Sequence, residues 1–97
     1  MSSNLETIAS FIPARDRVLF LNLVIEACGK SIWRASKESG VSRSQIYRYL
    51  GTCERKDAPD DEVMSRVLAA GLRLDPIGTR AQLRNMSRLF HTLTEAV

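Results

Sequence analysis

Hydrophobic positions fall into groups separated by polar or glycine-containing breaks, and within most groups they recur three and four residues apart, the spacing of one helix face. Leu5, Ile8, Ala9 and Ile12 share such a face. Ahead of them Ser3-Asn4-Leu5-Glu6 reads as a capping box, in which each side chain satisfies the other residue's free backbone N–H, so a helix is predicted over about 4–11. The next group, Val18 to Ile25, is apolar almost all the way round, a pattern shared by buried strands and buried helices. Pro13 suits the first turn of a helix and Gly29 the left-handed residue just past its end, which with Ala27 predicts a helix over about 13–28. A helix greasy on every side needs cover on more than one side.

Lys30 to Ser39, ended by Gly40, predicts a third helix, and Ser42-Arg43-Ser44-Gln45 is a second capping box opening a fourth through Leu50, closed by Gly51. After a polar connector from Thr52 to Pro59, Asp60, Asp61 and Glu62 stand where negative charge favours a helix N-terminus. Val63, Met64, Val67, Leu68, Gly71 and Leu72 then line one face. Asp75-Pro76 with Gly78 reads as a break, and Thr79-Arg80-Ala81-Gln82 as a third capping box starting a last helix. In that helix Leu83, Met86, Phe90, Leu93 and Val97 alternate three and four apart, the seam of a coiled coil and a candidate dimer interface. The expected fold is an all-α domain of about six helices spanning 1–97, with no repeat and no low-complexity segment.

Charge changes the picture through its distribution. The 97 residues carry 14 Lys and Arg against 11 Asp and Glu, a net charge of +3 that by itself selects no partner. Residues 30–56, however, hold 7 basic and 2 acidic groups, whereas 57–75 hold 2 and 5. The positive field is therefore concentrated in the second quarter of the chain. Cys28 and Cys53 are too few and too far apart for a disulfide scaffold or a cysteine-rich zinc site. The opening MSSNLETIAS lacks the basic-then-apolar layout of a signal peptide, and Val18 to Ile25, broken by Asn22, is far short of the roughly 18 residues of a membrane span. The expectation is a cytoplasmic, nucleoid-associated protein with reduced thiols, no membrane contact and no cofactor.

The basic quarter also carries the informative spacing. A helix-turn-helix needs small residues where its second helix crosses the first, a turn residue that accepts positive φ, and an apolar plug after it; Ala35 with Ser36, Gly40 and Val41 fill those roles. Ile46 and Leu50 then fall on the inward face of the second helix, which turns Arg43, Ser44, Tyr47 and Arg48 outward. Two arginines and two hydroxyls on one face suit guanine edges and phosphates. Taken singly, each feature fits a capped helical hairpin with a solvated basic face; their co-occurrence in the one strongly basic segment points to double-stranded DNA. Lys30 and Arg34, assigned to the preceding helix, are the expected phosphate contacts.

The stretch Ala27-Cys28-Gly29 through Leu50, ending in Gly-Val-Ser-Arg-Ser-x-Ile-Tyr-Arg-x-Leu, resembles the Fis-type helix-turn-helix of bacterial enhancer-binding activators and of the nucleoid protein Fis. The resemblance covers about a quarter of the chain, and antitoxin-type regulators carry similar runs. It implies that Ser42, Arg43, Gln45 and Arg48 face DNA, with Ser44 and Tyr47 at the backbone. A weaker resemblance, from Tyr47 to Gly51 and Pro59 to Val63, is to small archaeal helix-turn-helix proteins, including those that bind CRISPR repeats.

Other signals have plainer readings. Gly29-Lys30-Ser31 imitates the end of a phosphate-binding loop, but the glycine required five residues earlier is Val24. His91 is the lone histidine and reads as a surface residue, Trp33 as a core anchor, and the Arg80, Arg84, Arg88 ridge as a solvated face. Asp57, Asp60, Asp61 and Glu62 read as a helix cap turned away from DNA. No ligand cluster for a metal is present in the sequence pattern. The expectation is a non-enzymatic, sequence-specific, dimeric DNA-binding protein, a small prokaryotic transcription regulator or repeat-binding protein. The alternative is a protein-interaction module, such as an antitoxin or adaptor, whose C-terminal seam holds a partner protein.

Overall fold

Six helices and no strand make up the described part of the computed structural model, which covers the backbone of residues 2–51 and 58–96 and the side chains of 5–51 and 58–86. They are α1 (Ser2–Ser10), α2 (Ala14–Ala27), α3 (Ile32–Ser39), α4 (Arg43–Tyr49), α5 (Asp61–Leu74) and α6 (Pro76–Ala96). The all-α expectation holds, and the differences lie at helix ends. Ser2 is already helical, so Ser3 lies inside the first turn of α1 instead of before it, and its side chain is outside the described residues. Pro13 sits one position earlier than expected, at the N-cap of α2, with extended ψ and no side-chain cap bond.

The largest departure is at the α5–α6 junction. Only Asp75 leaves the helical conformation, and α6 restarts at Pro76, whose missing N–H is no loss in a first turn. Asp75 serves both helices. Its N–H donates to Gly71 O at 2.7 Å, while its Oδ1 accepts the Gly78 N–H at 3.0 Å. Thr79 is therefore not the cap of α6. It lies within the first turn, 1% exposed, with its Oγ1 lacking a hydrogen-bond partner. The two helices approach closely there: a Cβ added at Gly71 would stand 2.6 Å from Thr79 Oγ1.

α5 is the central element and packs against α1, α2, α3 and α6. Its Met64, Val67 and Leu68 meet Phe20, Leu21 and Val24 of α2 and Ala9 and Ile12 of the α1 end in one buried cluster, each large side chain contributing about 1.5–3 kcal/mol of transfer free energy. The all-round apolar α2 obtains its cover within the chain, from α3, α5 and α6, and leaves Leu19 and Asn22 exposed along its outer edge. Met86 of α6 also joins the core at 8% exposure, with Leu83 packed beside it. These two positions of the C-terminal seam are thus filled from inside the chain; the side chains of Phe90 and Leu93, and all of Val97, lie outside the described residues.

One arginine, unmarked in the sequence pattern, ties three segments together. Arg17 on the first turn of α2 is only 12% exposed at its side chain. Its Nη2 donates to Ala9 O at 2.9 Å, which also accepts the Ile12 N–H at 3.0 Å, and its Nε donates to Ile12 O at 2.8 Å just past the end of α1. Its Nη1 donates to Pro59 O at 2.8 Å, and Nη2 also pairs with Asp61 Oδ1 at 2.8 Å. The guanidinium fork thereby fixes the end of α1, the entry to α5 and the α5 N-terminus.

Candidate nucleic-acid interface

The geometry of the α3–α4 pair follows from small residues and two caps. Ser31 opens α3 by accepting the Arg34 N–H at 3.2 Å, and Gly40 ends it at φ 74°, a left-handed conformation that glycine adopts without a Cβ penalty. Ala35 is fully buried. Ser39, also buried, donates its hydroxyl to Ala35 O at 2.6 Å and accepts the Val41 N–H at 3.3 Å, so its hydroxyl is satisfied while it holds the turn. Val41 plugs the core beneath the turn.

The capping box expected at α4 is complete: Ser42 Oγ accepts the Gln45 N–H at 3.2 Å, and Gln45 Oε1 accepts the Ser42 N–H at 3.3 Å. The cap matters because α4 has seven residues, a length at which an isolated helix does not hold. Ile46 is buried below, Tyr49 and Leu50 are half-buried against the core, and Gly51 at φ 76° closes the segment. Arg43, Ser44, Tyr47 and Arg48 all face outward. Ser42, Arg43, Ser44 and Tyr47 line an open depression of about 510 Å³ at the start of α4. The side chain of Arg43 makes no ion pair among the described residues. Ser42 and Gln45, which the family resemblance turns toward DNA, have side-chain oxygens engaged in the cap, and Gln45 is half-buried.

The remaining expected contacts lie around α3. Arg34 is exposed on α3 itself, whereas Lys30 precedes the helix. Lys30 occupies the α2–α3 turn at φ 65°, next to Gly29 at φ 69°, with its N–H donating to Ile25 O at 2.9 Å. A left-handed lysine is strained by roughly 1–2 kcal/mol. Trp33 is not the core anchor expected from the sequence: it is 59% exposed, with the Lys37 ammonium 5.3 Å from its ring centroid. The signal was present, since residues two apart on a helix point about 200° apart, and Ala35 points inward.

Two α5 arginines support this pair from behind. Arg73 Nη2 donates to Glu38 O at 2.8 Å and pairs with Glu38 Oε2 at 2.9 Å, while Arg66 Nη1 donates to Gly40 O at 3.3 Å and pairs with Glu62 at 2.8 Å. Both bonds to backbone carbonyls occupy the C-terminal end of α3, where a helix presents unpaired acceptors. No local spacing announces them. The acidic cluster acts as expected for a cap: Asp60 Oδ1 accepts the Val63 N–H at 2.8 Å, Asp61 pairs with Arg17 and Glu62 with Arg66; Asp57 lies outside the described residues. Arg80 and Arg84 are exposed on α6, while Arg88 and His91 have side chains outside the described set.

Behind α3, Cys28 is buried, and its thiol is pushed above the ordinary range, first by burial and then by Glu38, against the opposing charges of Arg34 and Arg73. Cys53 lies outside the described residues. Among the described residues no group of three or more His, Cys, Asp or Glu is placed to hold a metal, and no helix is long and apolar enough to cross a membrane. Comparison with protein-family models, curated proteins and solved structures finds no match in any of the three.

Proposed function

We propose that this protein binds double-stranded DNA in a sequence-dependent manner, with α3 and α4 acting as a helix-turn-helix and α4 entering the major groove. The observation that carries the reading is the outward set Arg43, Ser44, Tyr47 and Arg48 on a short helix whose start is fixed by a capping box and whose underside is pinned by Ile46. Arg43 and Arg48 are five positions apart, about 7.5 Å along the axis, enough to address successive base pairs. An arginine is suited to the O6 and N7 acceptors of guanine, and Ser44 and Tyr47 supply hydroxyls for phosphate oxygens. Lys30 and Arg34 add positive charge for the adjacent backbone.

The biological role that fits is a small prokaryotic transcription regulator or repeat-binding protein. A dimer is part of the proposal, because two such helices about 34 Å apart would read half-sites one turn of B-DNA apart. Its interface would use the part of the C-terminal seam beyond Met86. Rounds of selection from a random 30-base-pair duplex pool, followed by sequencing, test the reading. An enriched motif of two half-sites is the expected result. Retention of every sequence alike at low salt, with no motif, would exclude sequence-dependent recognition, and failure to retain duplex at all would overturn the proposal and favour the protein-interaction alternative.

A further inference from the structure

α4 offers bases a restricted set of partners. Its residues, Arg43 to Tyr49, include no carboxylate, the group that accepts from the cytosine amino group. Its one amide, the side chain suited to adenine, is Gln45, and that is committed to the cap: Oε1 accepts the Ser42 N–H at 3.3 Å and the Ser42 hydroxyl at 3.1 Å. The Arg43 guanidinium donates and cannot accept, so it gains from the acceptors of guanine and from thymine O4, and meets only a competing donor at the amino groups of adenine and cytosine. Tyr47 adds what the guanidinium lacks. It lies four residues after Arg43, on the same side of α4, and the two line one open depression with Ser42 and Ser44. At 44% exposure it sets an aromatic ring at the surface as one wall of that depression. Among the base edges in the major groove, the one hydrocarbon substituent is the C5-methyl of thymine.

We infer that the Tyr47 ring is a thymine reader, packing on the C5-methyl of a thymine close to the guanine that Arg43 addresses, so that each half-site carries guanine and thymine at neighbouring positions. This rests on the DNA-binding reading above and specifies its target. Side chains four apart on a helix have Cβ atoms about 5–6 Å apart, and successive base pairs rise about 3.4 Å, so the two bases stand one or two steps apart. The ring takes the methyl, and the hydroxyl at its far tip stays with the phosphate. Thymine is thereby separated from cytosine twice, by the methyl group and by an acceptor at O4 in place of an amino group.

The test takes the duplex enriched from the random pool and removes one methyl at a time, replacing each thymine in turn with deoxyuridine, which keeps every hydrogen-bonding group. Affinity for the full-length protein is read from the anisotropy of the fluorescein-labelled duplex. The expected result is a sensitive thymine in each half-site, where loss of the methyl weakens binding about fourfold, the transfer of one buried carbon out of water. It should stand within two base pairs of a guanine whose exchange for 7-deazaguanine weakens the wild type but not Arg43→Ala. Tyr47→Phe keeps the ring and should keep the fourfold difference. Tyr47→Ala should abolish it, and because alanine is the stronger helix former and Tyr47 faces outward, this variant should melt as the wild type does by circular dichroism. An enriched duplex with no methyl-sensitive thymine would overturn the inference and leave the α4 reading standing. A methyl effect that is lost in Tyr47→Phe, or that persists in Tyr47→Ala, would overturn it equally, since the ring would then not be the reader. Failure of the pool to yield any motif would bring down the α4 reading and this inference with it.

Discussion

Arg17 and Arg43 are the same side chain used in opposite ways, and the two regions that contain them differ accordingly. On the α1, α2 and α5 side, Arg17 is withdrawn from water and donates to three backbone carbonyls and Asp61, inside a frame of Phe20, Leu21, Met64 and Leu68. On the α3–α4 side, a seven-residue helix buries Ile46 and shows Arg43 to solvent without an ion pair among the described residues. The first arginine spends its donors on carbonyls just past the end of α1 and just ahead of α5. The second keeps its donors available. A small domain can carry an accessible cationic face because the stability of the whole is generated elsewhere, and because the exposed pair is anchored to the frame by Arg66 and Arg73.

That division can be broken first at Arg17. Arg17→Met keeps the stem packing but leaves the Ile12 and Pro59 carbonyls without this donor and Ala9 O with the Ile12 N–H alone, and should lower unfolding free energy by about 3 kcal/mol in urea. Arg17→Lys should recover less than half of it, since one ammonium cannot reproduce the fork. If Arg17→Met unfolds at the wild-type midpoint, the clamp contributes nothing and the two regions do not differ in the way described. The counterpart is Arg43→Ala. Its expected stability change is within about 0.5 kcal/mol, while affinity for the selected duplex falls by roughly 1–3 kcal/mol per half-site with relaxed specificity at one position. Equal losses on selected and scrambled duplexes would make Arg43 a phosphate clamp rather than a reader.

A smaller effect tests how the exposed side keeps its shape. Ser42→Ala removes one half of the capping box and should lower stability by about 1 kcal/mol, measured by urea unfolding followed by circular dichroism. An unchanged midpoint would show that Ile46 and Leu50 hold α4 without its cap.

The parts of this molecule legible in its sequence are those written in local spacing. The α3–α4 pair was readable because Ala35, Gly40, Val41, Ser42, Gln45 and Ile46 act on neighbours within a few residues, and each sits in the structure as its spacing implies. What joins distant segments was not readable. Arg17 reaches Asp61 across 44 positions, and Arg73 reaches Glu38 across 35, with nothing in the intervening chain to mark either. Trp33 went the other way: its size suggested core, but the inward direction of Ala35 already placed it outside. Met86 fitted a seam for a second chain and is instead covered by its own. Periodicity identifies an apolar face without saying what covers it.

The junction of α5 and α6 offers the finest discrimination between spacing and structure, because they predict opposite signs. Thr79-Arg80-Ala81-Gln82 has the spacing of a capping box, and if Thr79 were that cap, Thr79→Val would cost about 1 kcal/mol. In the fold, Asp75 caps α6 and Thr79 is buried in its first turn with an unpartnered Oγ1 facing Gly71. A buried hydroxyl without a partner forfeits its hydration and gains nothing in return. Valine has almost the same shape, so the close approach at Gly71 survives the exchange while the stranded oxygen is removed. Thr79→Val should therefore raise stability by roughly 0.5–1 kcal/mol. Asp75→Ala should lower it by about 1 kcal/mol, since the Gly78 N–H loses its acceptor. Matched urea unfolding curves on the two variants decide the matter: a less stable Thr79→Val beside a neutral Asp75→Ala would return the cap to Thr79, because only a hydroxyl that accepts a helix N–H is missed when it becomes a methyl.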